Sequence, residues 1–309
     1  MTRWSAAGVR VVARLKELLT GKRIAIAPGA TDAWVARLIE EAGFPLVYMT
    51  GAGVANTLLG EPDIGLVTMS EMVAQASRIA HAVSVPVLAD ADTGFGGVAN
   101  VARTVREYER AGIEGLHIED QAFPKKCGHF EGKVLVEPAE MILRLEAALA
   151  ARTDPNFVII ARCDARAVEG LDAAIERARL YARTGVDALF VEAPQSIEEV
   201  RRIPEALPDI PLIANMVEGG KTPLVSAAEL ERLGYRIVLY ANFALRVAAY
   251  AVRDALATLR DTGTSAGMLD SILSWKDRQA LVRLPEANAF EQDVVKRAAS
   301  HHLADSDRR

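Results

Sequence analysis

The chain has 309 residues, half of them apolar, and its 36 Lys and Arg are outnumbered by 41 Asp and Glu. A chain of this length and composition can bury one large core, and α/β barrels of this size are often a single domain. No basic stripe marks it as a nucleic-acid binder, and no apolar run reaches the roughly 18 residues needed to span a bilayer. We therefore expect that it binds neither nucleic acid nor membrane. Its two cysteines cannot build a disulfide framework, so we expect a cytoplasmic protein.

Eight short apolar runs recur along the chain, with segments of helix length between them. Each run is apolar on both faces, as is typical of a strand buried in a parallel sheet. The runs are residues 24–30, 45–50, 86–90, 115–120, 157–162, 188–193, 211–216 and 235–241. The alternation predicts an α/β fold, specifically a (β/α)8 TIM-type barrel. A doubly wound sheet is the weaker alternative, because no glycine-rich dinucleotide turn follows the first run.

After residue 242 the pattern becomes purely helical. Residues 243–263 read as one long amphipathic helix, and residues 265–282 and 285–302 as two further helical segments without a strand between them. We therefore divide the chain into a barrel with an N-terminal helix, residues 1–242, and a C-terminal helical segment, residues 243–309. One barrel does not need the second part, which we expect to pack on a neighbouring subunit.

Polar residues accumulate where the predicted strands end. In a barrel of this type the active site lies at the carboxyl ends of the strands. Polar residues that merely mark the end of an apolar run would explain one or two of these positions. Six of the predicted strands end in polar residues, which this explanation does not cover. The residues are Tyr48, Asp90, Asp92, His117, Glu119, Asp120, Arg162, Asp164, Glu192, Asn215 and Glu218.

Three of these acids predict a metal site. Asp90 and Asp92 lie two residues apart, so on a regular strand they point the same way, and Glu119 follows on the next strand. Clustered carboxylates repel one another unless they are protonated or bridged by a cation. Hard oxygen ligands favour Mg²⁺, with Mn²⁺ as a possible substitute. The alternative is a set of separate salt bridges to Arg and Lys.

A reactive cysteine is predicted in the segment "KKCGH", residues 125–129, which follows the fourth strand. Positive charge on Lys125, Lys126 and His129 would stabilise a thiolate at Cys127 and lower its pKa. Beside a metal and anion-binding groups, this thiol is better suited to protonate a carbanion than to act as a nucleophile. Gly128 allows a tight turn, and residues 123–133 are predicted to form a mobile lid. The alternative is a solvated basic loop, and the second cysteine, Cys163, is expected only to pack.

Five motifs together resemble the isocitrate lyase / phosphoenolpyruvate mutase superfamily, over about residues 20–260. They are "KKCGH" at 125–129, "DADTGFG" at 90–96, "TGAGVA" at 50–55, "HIEDQ" at 117–121 and "ANMVEGGKTP" at 214–223. The first is the most specific and is typical of the lyase branch, which includes 2-methylisocitrate lyase, 2,3-dimethylmalate lyase and oxaloacetate hydrolase. The phosphonate-cleaving branch lacks that cysteine.

The resemblance implies a barrel whose eighth helix is exchanged between subunits of a tetramer built as a pair of dimers. It implies Mg²⁺ held mainly by Asp90, with Asp92 and Glu119 acting partly through water. Cys127 would be the proton donor, with Lys125 and His129 in the catalytic set. The implied substrate-binding residues are Tyr48, Thr50, Gly51, Ala52, Arg162, Glu192 and Asn215, to which we add Asp63 and Gly128.

Three positions depart from the family pattern. Ala52 stands where three successive glycines are common, Cys163 where threonine is common, and Ala241 where a proline often follows the eighth strand. With Asn242, Ala241 would lie near a substituent of the substrate. These departures affect the identity of the substrate more than the type of reaction.

We therefore expect a Mg²⁺-dependent carbon–carbon lyase that cleaves a 2-hydroxy di- or tricarboxylate of the 2-methylisocitrate or 2,3-dimethylmalate type. The products would be an α-keto acid such as pyruvate and a second carboxylic acid, with Tyr48 a candidate base. Decarboxylation or hydrolysis of oxaloacetate, or phosphonopyruvate chemistry, is the alternative on the same scaffold. A non-catalytic binding protein is disfavoured, because binding alone does not require a poised thiol.

Overall fold

The computed structural model describes residues 14–306, with side chains described as far as residue 299. Eight parallel strands pair in chain order and close into a barrel, because β8 pairs with β1. The (β/α)8 prediction is confirmed. The strands are β1 Ala25–Ala30, β2 Val47–Met49, β3 Val87–Asp90, β4 Gly115–Glu119, β5 Val158–Cys163, β6 Ala188–Val191, β7 Leu212–Asn215 and β8 Tyr235–Tyr240.

Helices alternate with these strands and continue beyond the last of them. They are α1 Leu15–Thr20, α2 Ala33–Glu41, α3 Gly51–Leu59, α4 Met69–Ala80, α5 Val98–Arg110, α6 Pro138–Ala151, α7 Leu171–Ala182, α8 Ile197–Ala206, α9 Ala227–Leu233, α10 Phe243–Thr262, α11 Trp275–Leu281 and α12 Leu284–Ser306. Short 3₁₀ turns occupy Ala165–Ala167 and Ala266–Ser271. Most of the predicted N-terminal helix lies outside the described residues, and α1 is its described part.

Both faces of each strand are buried, which explains the continuous apolar runs. Along β5, Val158 and Ile160 belong to the cluster that fills the barrel, whereas Ile159 and Ala161 face the surrounding helices. Leu15 of α1 is fully buried in the inner cluster. The apolar core therefore fills the barrel below the carboxyl ends of the strands and leaves polar side chains to collect at those ends.

The chain divides into two compact units, one ending at Ala248 and the other beginning at Ala249. The second contains the end of α10, α11 and α12. The segment 265–282 is not one helix as predicted: a 3₁₀ turn is followed by extended backbone at Ile272, and α11 begins after the N-cap Ser274. None of the helices described between residues 14 and 306 is long and apolar enough to cross a membrane.

Candidate active site

The carboxyl ends of the strands surround a cavity of about 270 Å³. That volume is near the lower end of ligand pockets and suits a small polar molecule. The predicted site residues in its wall are Tyr48, Thr50, Ala52, Asp63, Asp90, Lys125, Cys127, Gly128, His129, Arg162, Glu192 and Asn215. Three other predicted residues, Gly51, Asp92 and Glu119, are buried outside this wall. The structure therefore brings most of the predicted site together around one space.

The two aspartates that follow β3 are arranged differently from the prediction. The strand ends at Asp90, and Asp92 has a φ of +47°, so the two do not share a regular strand. Instead, the Asp92 N–H donates a hydrogen bond of 2.9 Å to Asp90 Oδ1. The backbone of α3 also approaches this carboxylate, because a Cβ on Gly51 would lie 2.6 Å from Asp90 Oδ2. Gly51 therefore makes room for Asp90 rather than lining the cavity.

Several of the buried acids have a cationic partner, and one lysine is shared by two of them. The ammonium of Lys125 lies 2.7 Å from Asp92 Oδ1 and 2.5 Å from Asp63 Oδ1, and Arg162 Nη1 lies 3.4 Å from Glu119 Oε2. These are the separate salt bridges that the sequence left open as the alternative to a metal. Within residues 14–299, no three His, Cys, Asp or Glu side chains are close enough together to hold a metal ion.

These cations do not fully compensate for the burial of the acids, and this bears on whether a metal would fit. Among the described residues, Glu119 Oε1 is buried without a hydrogen-bond partner. Burial raises the pKa of Glu119 well above its usual value, and burial together with Asp90 and Asp63 raises that of Asp92 to about 6 despite Lys125. Burial opposes ionisation of Asp90 too, but His117, Lys125 and Arg162 hold its pKa below the usual value. Asp90 is ionised on the wall of the cavity, and the two nearby acids, Asp92 and Glu119, lack enough neighbouring positive charge to offset their burial. This set of carboxylates fits Mg²⁺ or Mn²⁺.

His117 is a partner of Tyr48 within the barrel. Its Nε2 lies 2.8 Å from the Tyr48 hydroxyl, and its Nδ1 lies 3.8 Å from Asp90 Oδ1. Burial lowers the pKa of His117 to about 4 and raises that of Tyr48 well above 10. At neutral pH the pair is therefore an uncharged imidazole beside an uncharged phenol. The nearest polar contact of His117 is therefore Tyr48 rather than a carboxylate.

The prediction of a lowered pKa at Cys127 is wrong. Burial raises the pKa of this thiol to about 11, although the His129 N–H favours the thiolate. The neighbouring cations are directed elsewhere: Lys125 pairs with Asp63 and Asp92, and Lys126 Nζ donates to the carbonyl of Gly132 at 3.0 Å. Cys127 is therefore a protonated thiol at neutral pH, which suits a proton donor and not a nucleophile.

The backbone of the "KKCGH" segment packs directly against Arg162 and Glu192, which also line the cavity. A Cβ on Gly128 would lie 2.5 Å from Arg162 Nη2 and 2.7 Å from Glu192 Cγ, so glycine is required at this close approach. His129 Nε2 lies 3.0 Å from Glu192 Oε1, and Asn215 Nδ2 donates to the same oxygen at 3.2 Å. Burial opposes ionisation of Glu192, but Arg162 and His129 lower its pKa, and it stays a carboxylate.

Two other loops hold this segment in place. The Cys127 N–H donates to the carbonyl of Asp63 at 3.2 Å, which joins the segment to the loop after α3. On the other side, the Lys221 N–H donates to His129 Nδ1 at 3.2 Å. A Cβ on Gly220 would lie 2.8 Å from the same nitrogen, so the loop after β7 also packs directly on His129.

Some residues of the site were missed from the sequence. Gln121 forms hydrogen bonds of 2.9 and 2.8 Å with the N–H and the carbonyl of Lys126. Asn242 was expected near the substrate, and its Oδ1 accepts a hydrogen bond of 3.2 Å from Thr50 Oγ1. Arg246, which was missed, reaches the cavity wall from α10. Lys133 is buried and bonds the carbonyl of Gly128. In the sequence, Lys133 is marked only by its position directly before an apolar run.

A barrel with acids, a thiol and a guanidinium around a cavity at the carboxyl ends of its strands has the arrangement of a TIM-barrel enzyme. The family model described as phosphoenolpyruvate phosphomutase matches residues 15–260. The chain is 46% identical to 2,3-dimethylmalate lyase of Eubacterium barkeri, over 93% of this chain and 99% of the relative. It is 47% identical to a probable 2-methylisocitrate lyase of Corynebacterium glutamicum, over 90% and 91%.

Solved structures agree with these relationships. An oxaloacetate acetylhydrolase bound to 3,3-difluorooxaloacetate superposes with a TM-score of 0.87 at 36% identity, covering 92% of this chain and 96% of that one. A phosphonopyruvate hydrolase in complex with oxalate and Mg²⁺ superposes at 0.82 and 32% identity, covering 90% and 96%. The chain therefore belongs to the phosphoenolpyruvate mutase/isocitrate lyase superfamily. It is an enzyme of this superfamily, and its close relatives are named as lyases.

Proposed function

We propose that the protein is a Mg²⁺-dependent carbon–carbon lyase acting on a 2-hydroxy di- or tricarboxylate of the 2,3-dimethylmalate or 2-methylisocitrate type. The observation that carries the proposal is the protonated thiol of Cys127 in the wall of the cavity that also contains Asp90 and Arg162. The products would be an α-keto acid such as pyruvate and a second carboxylic acid. The two curated relatives, each more than 45% identical, support this reaction type.

The metal would be held by Asp90, with Asp92 and Glu119 behind it. When bound, it would polarise the oxygens of the substrate and stabilise developing negative charge, which is usually a large catalytic contribution. Arg162 is already fixed for a complementary task. Its guanidinium is held by Asp164 at 2.9 Å and lies over the Phe190 ring at 5.2 Å, so it can bind a substrate carboxylate without reorganising.

Removal of the hydroxyl proton is the role we assign to Tyr48, with His117 as its partner. A neutral phenol is not itself a base, and burial holds Tyr48 in that form. It can take the substrate's proton only as it passes its own to His117 Nε2, 2.8 Å away. Burial makes this imidazole a weak base, but the ionised Asp90, whose Oδ1 lies 3.8 Å from Nδ1, would stabilise the imidazolium, so we assign the proton to the Tyr48–His117 pair.

Cys127 completes the reaction at carbon. As the C2–C3 bond breaks, its electron pair passes to C3 and the C2 hydroxyl oxygen becomes a ketone oxygen. The thiol then gives its proton to C3 as a general acid. The thiolate that remains lies near the His129 N–H and the charge of Arg162, both of which favour it. Residues 123–133 would cover the site during this step and exclude water.

A product assay tests the proposal. The purified protein would be incubated with 2,3-dimethylmalate or 2-methylisocitrate, with Mg²⁺ or with EDTA, and the acids identified by mass spectrometry. We expect pyruvate or its homologue in stoichiometric amount with the second acid, only with the metal, and at least about a hundredfold less from Cys127→Ser. No product above the level of that variant, for either substrate, would refute the lyase proposal.

Oxaloacetate hydrolysis is a second candidate, because the chain superposes on an oxaloacetate acetylhydrolase about as well as on a 2,3-dimethylmalate lyase, with TM-scores of 0.87 and 0.86. The same assay with oxaloacetate separates the two candidates. Equal amounts of oxalate and acetate would support the hydrolase, whereas pyruvate with carbon dioxide would indicate decarboxylation. Phosphonopyruvate serves as the negative substrate, because a thiol general acid is not required for phosphonate cleavage.

A further inference from the structure

Lys133 is a buried cation to which neither the sequence nor the proposed mechanism assigns a role. It lies ten residues after Phe123, at the far end of the segment that carries Cys127, and its side chain is 1% exposed. A buried ammonium is costly unless its hydrogen bonds are satisfied, so its partners indicate what it is for. It has two, one in the "KKCGH" segment and one at the end of β5.

The first partner is the backbone beside the proton donor. Lys133 Nζ donates to the carbonyl oxygen of Gly128 at 2.5 Å. Gly128 stands between Cys127 and His129, so this bond fixes the backbone between the residue that carries the thiol and the residue that carries the imidazole. It also holds that peptide where a Cβ would collide with Arg162.

The second partner belongs to the rigid barrel. Lys133 Nζ lies 2.9 Å from Asp164 Oδ1, and the same carboxylate holds Arg162 through Nε at 2.9 Å and Nη2 at 3.2 Å. Asp164 is itself anchored, because its N–H donates to Asp120 Oδ1 at 2.8 Å. Asp120 in turn accepts a bond of 2.9 Å from the Tyr181 hydroxyl on α7.

We propose that Lys133 is a positioning residue that fastens the "KKCGH" segment to the Asp164–Arg162 pair and so sets where the Cys127 thiol stands relative to the bound substrate. One ammonium joins the peptide that carries the proton donor to the carboxylate that orients the substrate-binding guanidinium. This role rests on the proposed function, in which Cys127 protonates carbon. The closure of the segment itself can be measured without any substrate.

The test compares two cysteines in one protein. Lys133→Met removes both bonds while keeping most of the apolar stem, and Lys133→Gln keeps a shorter donor without the charge. The rate of alkylation of Cys127 and Cys163 by iodoacetamide at pH 8 would be followed by mass spectrometry. Cys163 is 1% exposed in β5 and reports opening of the barrel, whereas Cys127 reports opening of the segment.

Lys221→Met is the matched control. The side chain of Lys221 also pairs with this segment, 3.0 Å from Glu131 Oε1, but Glu131 is exposed and Lys221 lies outside the cavity wall. We expect Cys127 to react at least about tenfold faster in both Lys133 variants, with Cys163 unchanged, and at the wild-type rate in Lys221→Met. An unchanged rate at Cys127 in both Lys133 variants, or an equal acceleration at Cys163, would overturn the proposal.

Turnover supplies the second measurement. A misplaced acid impairs the protonation step, since displacement of a catalytic group by about 1 Å can cost on the order of a hundredfold. We expect kcat to fall about a hundredfold in Lys133→Met while KM changes less than about threefold. A rise in KM with kcat unchanged would overturn the positioning role. If the wild-type protein turns over neither candidate substrate, the lyase proposal fails, and the alkylation rates still decide whether Lys133 holds the segment closed.

Discussion

A methyl group on Gly128 would lie 2.5 Å from Nη2 of Arg162, so the backbone next to the Cys127 thiol packs directly on this guanidinium. This contact leaves no space for a side chain, and neither group can retreat easily. Arg162 is held by Asp164, and the second neighbour, Glu192, is held by His129. The close approach therefore couples the position of Cys127 to that of the substrate-binding residues.

We expect Gly128→Ala to reduce kcat/KM at least about tenfold, because the segment must move away from Arg162. Overpacking of this kind typically costs about 1–3 kcal/mol of stability. Gly97→Ala is the control, since its φ is −77° and a Cβ there meets open space. Steady-state kinetics and thermal unfolding would measure both variants. Full activity in Gly128→Ala would contradict the contact.

The barrel was predictable from sequence because its cause is local. Strands such as β5 are buried on both faces, and the requirement appears in the sequence as an uninterrupted apolar run. The polar ends were predictable for the same reason, since the fold directs them to one rim. Asp90 and Arg162 could thus be assigned to one site without knowledge of their contacts.

The state of Cys127 was not predictable, because it depends on where neighbouring side chains point. Lys125 adjoins the thiol in sequence, but its ammonium pairs with Asp63, which lies 62 residues away in the chain. Likewise, the orientation of Asp92 depends on a left-handed φ at a non-glycine residue, which no local pattern indicates. The pKa of Cys127 and the orientation of Asp92 both depend on how segments pack in three dimensions. The spacing of residues along the chain does not reveal that packing.

We expect the alkylation rate of Cys127 to rise about tenfold per pH unit from pH 7 to 10 without reaching a plateau. The thiolate is the reactive form, and burial raises the pKa of this thiol to about 11, so its thiolate fraction keeps increasing over the whole range. Cys163 should react more slowly throughout, because burial raises its pKa well above 9 and leaves it 1% exposed. A plateau near pH 8 would mean that the neighbouring cations do lower the pKa, as the sequence suggested.

Cys127→Ser should lower kcat by about 10²–10⁴-fold while product binding persists. Serine has nearly the same shape, but its hydroxyl is a much weaker acid and protonates carbon poorly. Cys163→Ala is the comparison, since that thiol lies outside the cavity wall and contacts the Ala174 carbonyl at 3.6 Å. Stopped assays would give kcat, and calorimetry with pyruvate would give binding. Wild-type turnover by Cys127→Ser would exclude a proton-donor role.

Asp90→Asn should abolish tight binding of Mn²⁺ and lower kcat/KM at least about a thousandfold, corresponding to loss of several kcal/mol of charge stabilisation. The amide oxygen can still accept the hydrogen bond from the Asp92 N–H, so the fold should survive. Electron paramagnetic resonance of added Mn²⁺ measures the binding. Asp209→Asn, an exposed acid beyond α8, is the control and should bind Mn²⁺ as the wild type does. Unchanged binding in Asp90→Asn would remove Asp90 from the metal site.

The helices that follow the barrel predict self-association. Exposed large apolar side chains are frequent from α10 onward, which is unusual for a surface that faces only water. They include Tyr250, Leu256, Leu269, Trp275 and Val295. We expect light scattering at micromolar concentration to give at least twice the chain mass of 33.3 kDa, and four times that mass if dimers pair.

Trp275→Asp should shift the protein toward smaller species, because a carboxylate cannot be buried in an apolar contact without a partner. The exposed Lys276→Gln, next to it in α11, lowers the charge by the same one unit and should leave the mass unaltered. A single species of 33.3 kDa for the wild type would contradict the expected oligomer, and with it the exchange of helices between subunits.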